Sequence, residues 1–179
     1  MFRSRSERRA PWRAAAAHFG SDWILRGRPG QFVTAAASHI EKGPDDIMNQ
    51  TELTEFATRY AAAWSSQNPA SLASCYAEHG SLTVNDGAPS VGRAAITATA
   101  QGFMTAFPDM VVKMDEVIRQ EDRHAVFRWI WTGTNTGPGG TGKAVHITGY
   151  EEWTIGAGGL IEASKGHFDE AEYQRQLTL

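Results

Sequence analysis

The chain has 179 residues, 41% of them hydrophobic, with six Trp and a formal net charge of −3, a size and content that suit one domain with a core plus a tail. The charge is uneven: residues 1–47 carry eight Lys/Arg against five Asp/Glu, while 48–179 carry nine against fifteen, so the patterned part is acidic and argues against a nucleic acid partner. A single cysteine, Cys75, excludes an intramolecular disulfide and a thiolate metal cluster, and no apolar run approaches the ~18–20 residues that cross a bilayer.

Residues 1–47 open MFRSRSERRA, rich in Arg and without the apolar stretch of roughly 7–15 residues that a secretory signal needs. They read as a disordered or over-extended basic tail, and no functional residue is placed in them. The domain pattern runs from 48 to 179, and its expected location is the cytoplasm.

Residues 50–66 place Leu53, Phe56, Ala57, Tyr60 and Trp64 on one stripe at helical spacing. Tyr60 on that stripe is either a buried aromatic whose hydroxyl finds a partner or a hydroxyl directed into a cavity. Asn68-Pro69 is a helix start, and a short second helix is expected over 69–77. Gly80 then breaks into SLTVND, a short strand with Leu82, Val84 and Asp86 on one face. Asp86 is either an acid in line with that apolar face or, as the pattern alone slightly favours, the start of a turn with Gly87.

A third helix is expected over 93–107, ended by Phe107-Pro108. Two long strands follow, MVVKMDEVIRQ and HAVFRWIWTGTN, joined at 121–123. Both faces of the second are fairly apolar, which predicts a central strand covered on both sides. The glycine-rich run NTGPGGTG, 135–142, reads as a flexible hairpin loop, and no phosphate-loop motif is present.

Residues 143–169 predict two further strands around Gly156-Ala157-Gly158-Gly159. One face of the first is Val145, Ile147, Gly149, Glu151, Trp153 and Ile155, an apolar stripe with a carboxylate in its middle. Such a carboxylate is costly unless paired, hydrogen-bonded or protonated. On the last strand Lys165 and His167 share one face and Gly166 and Phe168 the other, and the pattern does not choose between them. Asp169 is placed to cap a terminal helix. The six His are scattered, none paired at helical i, i+4 spacing, so no metal site is expected.

RYAAAW (59–64), TVNDG (83–87), VGRAAI (91–96), FPDMVV (107–112), GYEEWTI (149–155) and HFDEAEYQRQL (167–177) together resemble the nuclear transport factor 2-like superfamily, in its SnoaL-like polyketide cyclase and ketosteroid isomerase-like branches. The resemblance implies an α+β fold: a cone-shaped, strongly curved antiparallel sheet with three N-terminal helices on its concave face. Carried over residue by residue, the isomerases' general base falls on Asp86, and their oxyanion-stabilising Tyr and protonated acid fall on Tyr60 and Glu151. Gly87 stands where those enzymes have Pro, and Glu151 is one methylene longer than their Asp. Gly166 stands near the position where the epoxide hydrolase branch needs Asp, which disfavours that reaction. The implied cavity lining is Trp64, Phe103, Trp129, Trp131, Trp153 and His167. The expected activity is cofactor-free proton transfer next to a carbonyl, as an isomerase or aldol-type cyclase, on a small apolar carbonyl-containing ligand. The alternative is a non-catalytic ligand-binding or dimerisation module, since one fold hosts many functions. A homodimer is expected in either case.

Overall fold

The computed structural model describes residues 48–178; the tail reading of 1–47 lies outside the described residues. The elements are α1 (Gln50–Ser65), α2 (Pro69–Ala73), β1 (Tyr76–Val84), β2 (Ser90–Val91), α3 (Arg93–Ala106), β3 (Val111–Arg119), β4 (His124–Thr134), β5 (Ala144–Ile155), β6 (Ile161–Phe168) and α4 (Glu170–Thr178). The strands form one curved, unclosed sheet in the order β2-β1-β6-β5-β4-β3. It is mixed, not wholly antiparallel, because β1 and β6 run parallel while every other neighbour is antiparallel. The helices do not all precede the sheet either, since α3 follows β1 and β2.

α1 begins with a reciprocal cap. The Asn49 side chain accepts from the Glu52 amide at 3.0 Å, and the Asn49 amide donates to the Glu52 carboxylate at 2.9 Å. Its apolar face then buries Leu53, Phe56, Ala57, Tyr60 and Trp64, as the spacing predicts. Its two ends are fastened to β3, the edge strand. Gln50 brackets the strand, donating to Val117 O at 2.9 Å and accepting from the Arg119 amide at 3.2 Å. Ser65 does the same at the other end, where its hydroxyl accepts from the Val112 amide at 2.9 Å. These contacts occupy backbone groups that an edge strand otherwise leaves open.

The second helix stops at Ala73, not 77, and β1 starts at Tyr76. Tyr76 is drawn fully into the core, and the backbone beside it joins β6 through Ile161 N donating to Cys75 O at 3.0 Å. Gly80 lies inside β1 rather than preceding the strand. A Cβ there would meet the Ile161 carbonyl oxygen at 2.7 Å, so the residue permits the close approach of β6.

β4 has strand neighbours on both sides, as expected, but only one face is covered. Ala125, Phe127, Trp129 and Trp131 are buried inward, while on the outer face Val126 and Ile130 are half-exposed and Arg128 is exposed. The 135–142 loop is tied down by Asn135, whose side chain donates to Ala106 O at 3.1 Å and accepts from the Thr141 amide at 2.8 Å. Asp169 caps α4, accepting from the Glu172 amide at 2.9 Å. Inside the curve, Trp64 and Phe103 link Tyr60, Trp153 and Phe127 to Trp131, Tyr173, Phe107 and Phe168 in one continuous aromatic cluster. Each fully buried large apolar side chain in it contributes about 1.5–3 kcal/mol of transfer free energy.

Candidate functional site: a carboxyl in an apolar cavity

Strand parity puts Glu151 inward between Gly149 and Trp153, and the structure keeps it there at 5% exposure. Three donors converge on one of its oxygens. Tyr60 OH and Trp153 Nε1 each donate to Oε2 at 2.9 Å, and Ser164 Oγ donates to it at 2.5 Å. Tyr60 OH in turn shares a 2.8 Å hydrogen bond with Tyr76 OH. Oε1 has no hydrogen-bond partner among the described residues and is the open side of the carboxyl.

Glu151 lines a cavity of about 60 Å³ together with Trp64, Phe103, Trp129 and Trp131, aliphatic residues of β1 and β3, Phe168 and Gly166. Among the described residues, Glu151 is the one titratable residue lining it. Burial pushes the Glu151 carboxyl up from its ordinary value, against the opposing pull of Ser164, Trp153 and Tyr60. Burial also holds the Tyr60 and Tyr76 hydroxyls well above their ordinary value, with the Glu151 charge next in effect, so both stay protonated donors.

The rise favours the protonated form; in that form, with Oε2 taken by three donors, Oε1 is the oxygen left to carry the proton. The result is an oriented O–H at the wall of an otherwise apolar cavity, able to donate to an acceptor oxygen. Aromatic and aliphatic walls suit the carbon skeleton that carries it.

Tyr60 and Glu151 are brought together, but Tyr60 is spent on the carboxyl and does not line the cavity. Asp86 is elsewhere. β1 ends at Val84, Asn85 turns with φ +47°, and Asp86 is exposed on that turn. It lines a separate hollow of about 680 Å³ on the outer face of the sheet, with Asp115, Arg128, Tyr150 and His167. It also contributes nothing to the rise in the Glu151 pKa, which comes from burial and not from a second anion. Of the six expected lining residues, Trp64, Phe103, Trp129 and Trp131 line the cavity. Trp153 lies behind the wall at 1% exposure, stacked on Phe127 with centroids 4.7 Å apart. His167 points to the outer face, stacked on Tyr150 at 4.7 Å with Nε2 3.1 Å from Glu152 Oε2.

Reading the residues did not identify Tyr76 and Ser164 as part of this site. Tyr76 was hidden in the over-long second helix. Ser164 left no signal in the sequence; the structure puts it on the Gly166 face of β6, paired directly with Trp153.

The SnoaL-like domain model matches residues 57–163, and no curated protein matches the sequence. Solved structures share the fold at low identity. A hypothetical protein with a ketosteroid isomerase-like fold from Catenulispora acidiphila, in complex with trimethylamine, is 20% identical with a TM-score of 0.62, over 70% of this chain and 93% of that one. A putative SnoaL-like polyketide cyclase from Jannaschia is 15% identical with a TM-score of 0.63, over 72% and 92%. An NTF2-like protein of unknown function from Burkholderia pseudomallei is 18% identical with a TM-score of 0.60, over 70% and 97%.

Proposed function

The chain belongs to the SnoaL-like domain family, and from that premise we propose that its cavity binds a small, largely apolar molecule through one carbonyl oxygen, to which neutral Glu151 donates. The observation that carries this reading is the carboxyl itself, with three protein donors on Oε2 and none on Oε1. Tyr60, Trp153 and Ser164 act through Glu151 as positioning residues, holding the plane of the acid and the side on which its proton sits. A hydrogen bond from a neutral acid to a carbonyl oxygen in an apolar site draws charge onto that oxygen and favours the enol.

One observation favours the non-catalytic form of this reading. Enolisation also needs a base, and Asp86 faces the outer hollow while the cavity lining holds no second titratable group. Trp129 and Phe168 line both the cavity and the outer hollow, so movement of these rings is the proposed way in for ligands larger than the closed cavity. The chain also pairs with a second copy through the outer sheet face, where Ile118 and Tyr150 are exposed beside half-exposed Val126 and Ile130.

The test is infrared spectroscopy of pentan-2-one labelled at its carbonyl carbon. Binding to the native protein shifts the C=O stretch to lower frequency, and Glu151→Gln reduces the shift. Saturable binding with an unshifted carbonyl, or no binding, sinks the reading. Hydrogen–deuterium exchange at the ketone's α-carbon separates the two forms: exchange above the buffer rate means proton transfer, and none means a binding pocket.

A further inference from the structure

β6 outlasts its neighbour β1. Their last paired positions are Val84 and Gly166, yet β6 runs on to Phe168. On the β5 side Phe168 pairs with Gly149, which offers no side chain. On the β1 side the end of β6 is held by Asn85. The Asn85 amide donates to Gly166 O at 2.7 Å, and its side-chain Oδ1 accepts from the Phe168 amide at 3.0 Å. In a parallel ladder, the N–H and C=O of one residue reach the two residues that flank its partner. Asn85 keeps that pattern around His167, with its side-chain oxygen in place of its carbonyl. Its backbone leaves the sheet at φ +47°, and the turn closes through Gly87 N donating to Val84 O at 2.9 Å. One position thus meets two demands, the left-handed region and a short acceptor. Asn and Asp satisfy both, and Gly only the first.

The residue held this way is a partition. Trp129 and Phe168 are the two residues shared by the lining of the Glu151 cavity and that of the outer hollow. The Phe168 ring meets Trp129 with centroids 6.3 Å apart and Tyr173 at 5.7 Å. A strand end that extends past its neighbour and is fastened there by one side chain opens more readily than the core around it.

We propose that Asn85 is the positioning residue of this partition: its clasp on Phe168 sets how often the Glu151 cavity opens to the outer hollow, and so how fast ligand enters and leaves. This rests on the reading of Glu151 as the ligand's anchor and of Trp129 and Phe168 as the way in. Asn85 does not line the cavity, so it acts on rates and not on affinity. Loss of the clasp destabilises the closed form equally with and without ligand. Entry and exit therefore quicken by the same factor, and Kd is unchanged.

The experiment uses the full chain and pentan-2-one labelled with ¹³C at the carbonyl, with entry and exit rates read from NMR exchange between free and bound signals. Asn85→Gly keeps the left-handed turn and removes the acceptor. Both rates are expected to rise about fivefold, the scale of one hydrogen bond, at unchanged Kd. Asn85→Asp keeps both features and the native rates. Hydrogen exchange supplies a measure without ligand. On the native protein the Phe168 amide and the buried Trp129 indole N–H exchange through one shared opening, faster than the Trp153 indole N–H bonded to Glu151. Native rates in Asn85→Gly, or faster exit alone with a weaker Kd, overturn the proposal, while continued binding with a shifted carbonyl keeps the Glu151 reading. If pentan-2-one does not bind, the Glu151 reading falls and exchange decides the partition. Shared, faster exchange upholds it, and Phe168 and Trp129 protons as protected as that of Trp153 overturn it. That comparison is made on the native protein, so it does not depend on a variant folding.

Discussion

Glu151 and Glu152 are neighbours on β5, and they live in different solvents. Glu151 faces the concave side, is buried, takes three hydrogen bonds on one oxygen and is pushed towards its neutral form. Glu152 faces out, is exposed, and has the half-exposed His167 imidazole 3.1 Å away. One step along a strand reverses the face, and with it the dielectric and the chemistry available to the same side-chain type. The two hollows divide in the same way. The inner is small, apolar and holds one acid; the outer is about ten times larger and lined by Asp86, Asp115, Arg128, His167 and Asp169.

The sharpest way to break this contrast is to remove one aromatic from each face. Trp153→Ala takes away a fully buried indole, its stack on Phe127 and a donor to Glu151, and should cost about 3–5 kcal/mol in urea unfolding. Tyr150→Ala on the outer face should stay within about 0.5 kcal/mol in the monomer. Equal losses would mean that the outer face is packed as firmly as the inner.

The next contrast is in pH. The Glu151 pKa is raised in the folded state, so its contribution to stability is fully present below the unfolded value, near 4.3, and is lost as pH rises through the folded value. Asp109 has the opposite sign. Hydrogen bonds from the Thr134 amide and hydroxyl hold its carboxyl below the ordinary value, so its contribution is present above about 3.9 and is lost as pH falls through the folded value. Melting temperature against pH should therefore lose, in Glu151→Gln, the decline that begins above about 4.3, and keep it in Glu152→Gln. An unchanged decline in Glu151→Gln would place that carboxyl in water.

A smaller effect concerns assembly. If the outer face carries the second copy, Tyr150→Asp should shift sedimentation towards monomer and leave ketone binding at Glu151 intact. A native monomer at micromolar concentration would remove the dimer. The smallest effect is expected from deleting residues 1–47, which should leave the melting temperature nearly unchanged. A drop of many degrees would show that they pack on the domain.

How far the sequence was legible follows from the same contrast. Where a face is strongly apolar, period alone placed the residues: the α1 stripe, the inward tryptophans of β4 and Glu151 on β5 all lie where spacing put them. Legibility failed where the pattern is short or mixed. β2 is two residues long and left no periodic trace. Tyr76 fell inside the helix expected over 69–77, which ends at Ala73, so its place at the start of β1 was missed. Asp86 continued the parity of Leu82 and Val84, but parity ends where Asn85 takes a left-handed turn. β6 carries Ser164 and Gly166 inward, residues too small to mark a core face, so its inner side was visible only in three dimensions.

The parallel pairing of β1 with β6 has a consequence for how the molecule comes into being. Tyr76 and Ser164 stand on these two strands, separated by most of the domain's sequence, and both belong to the hydrogen-bonded cluster at Glu151. Strand pairs this distant close late, because loop entropy must be met before their contacts reward it. During synthesis the α1 and β3–β5 segments emerge first, with Glu151 already in the chain and its Ser164 partner still to come. Tyr76 therefore completes the hydrogen-bonded cluster at Glu151 only when β1 pairs with β6.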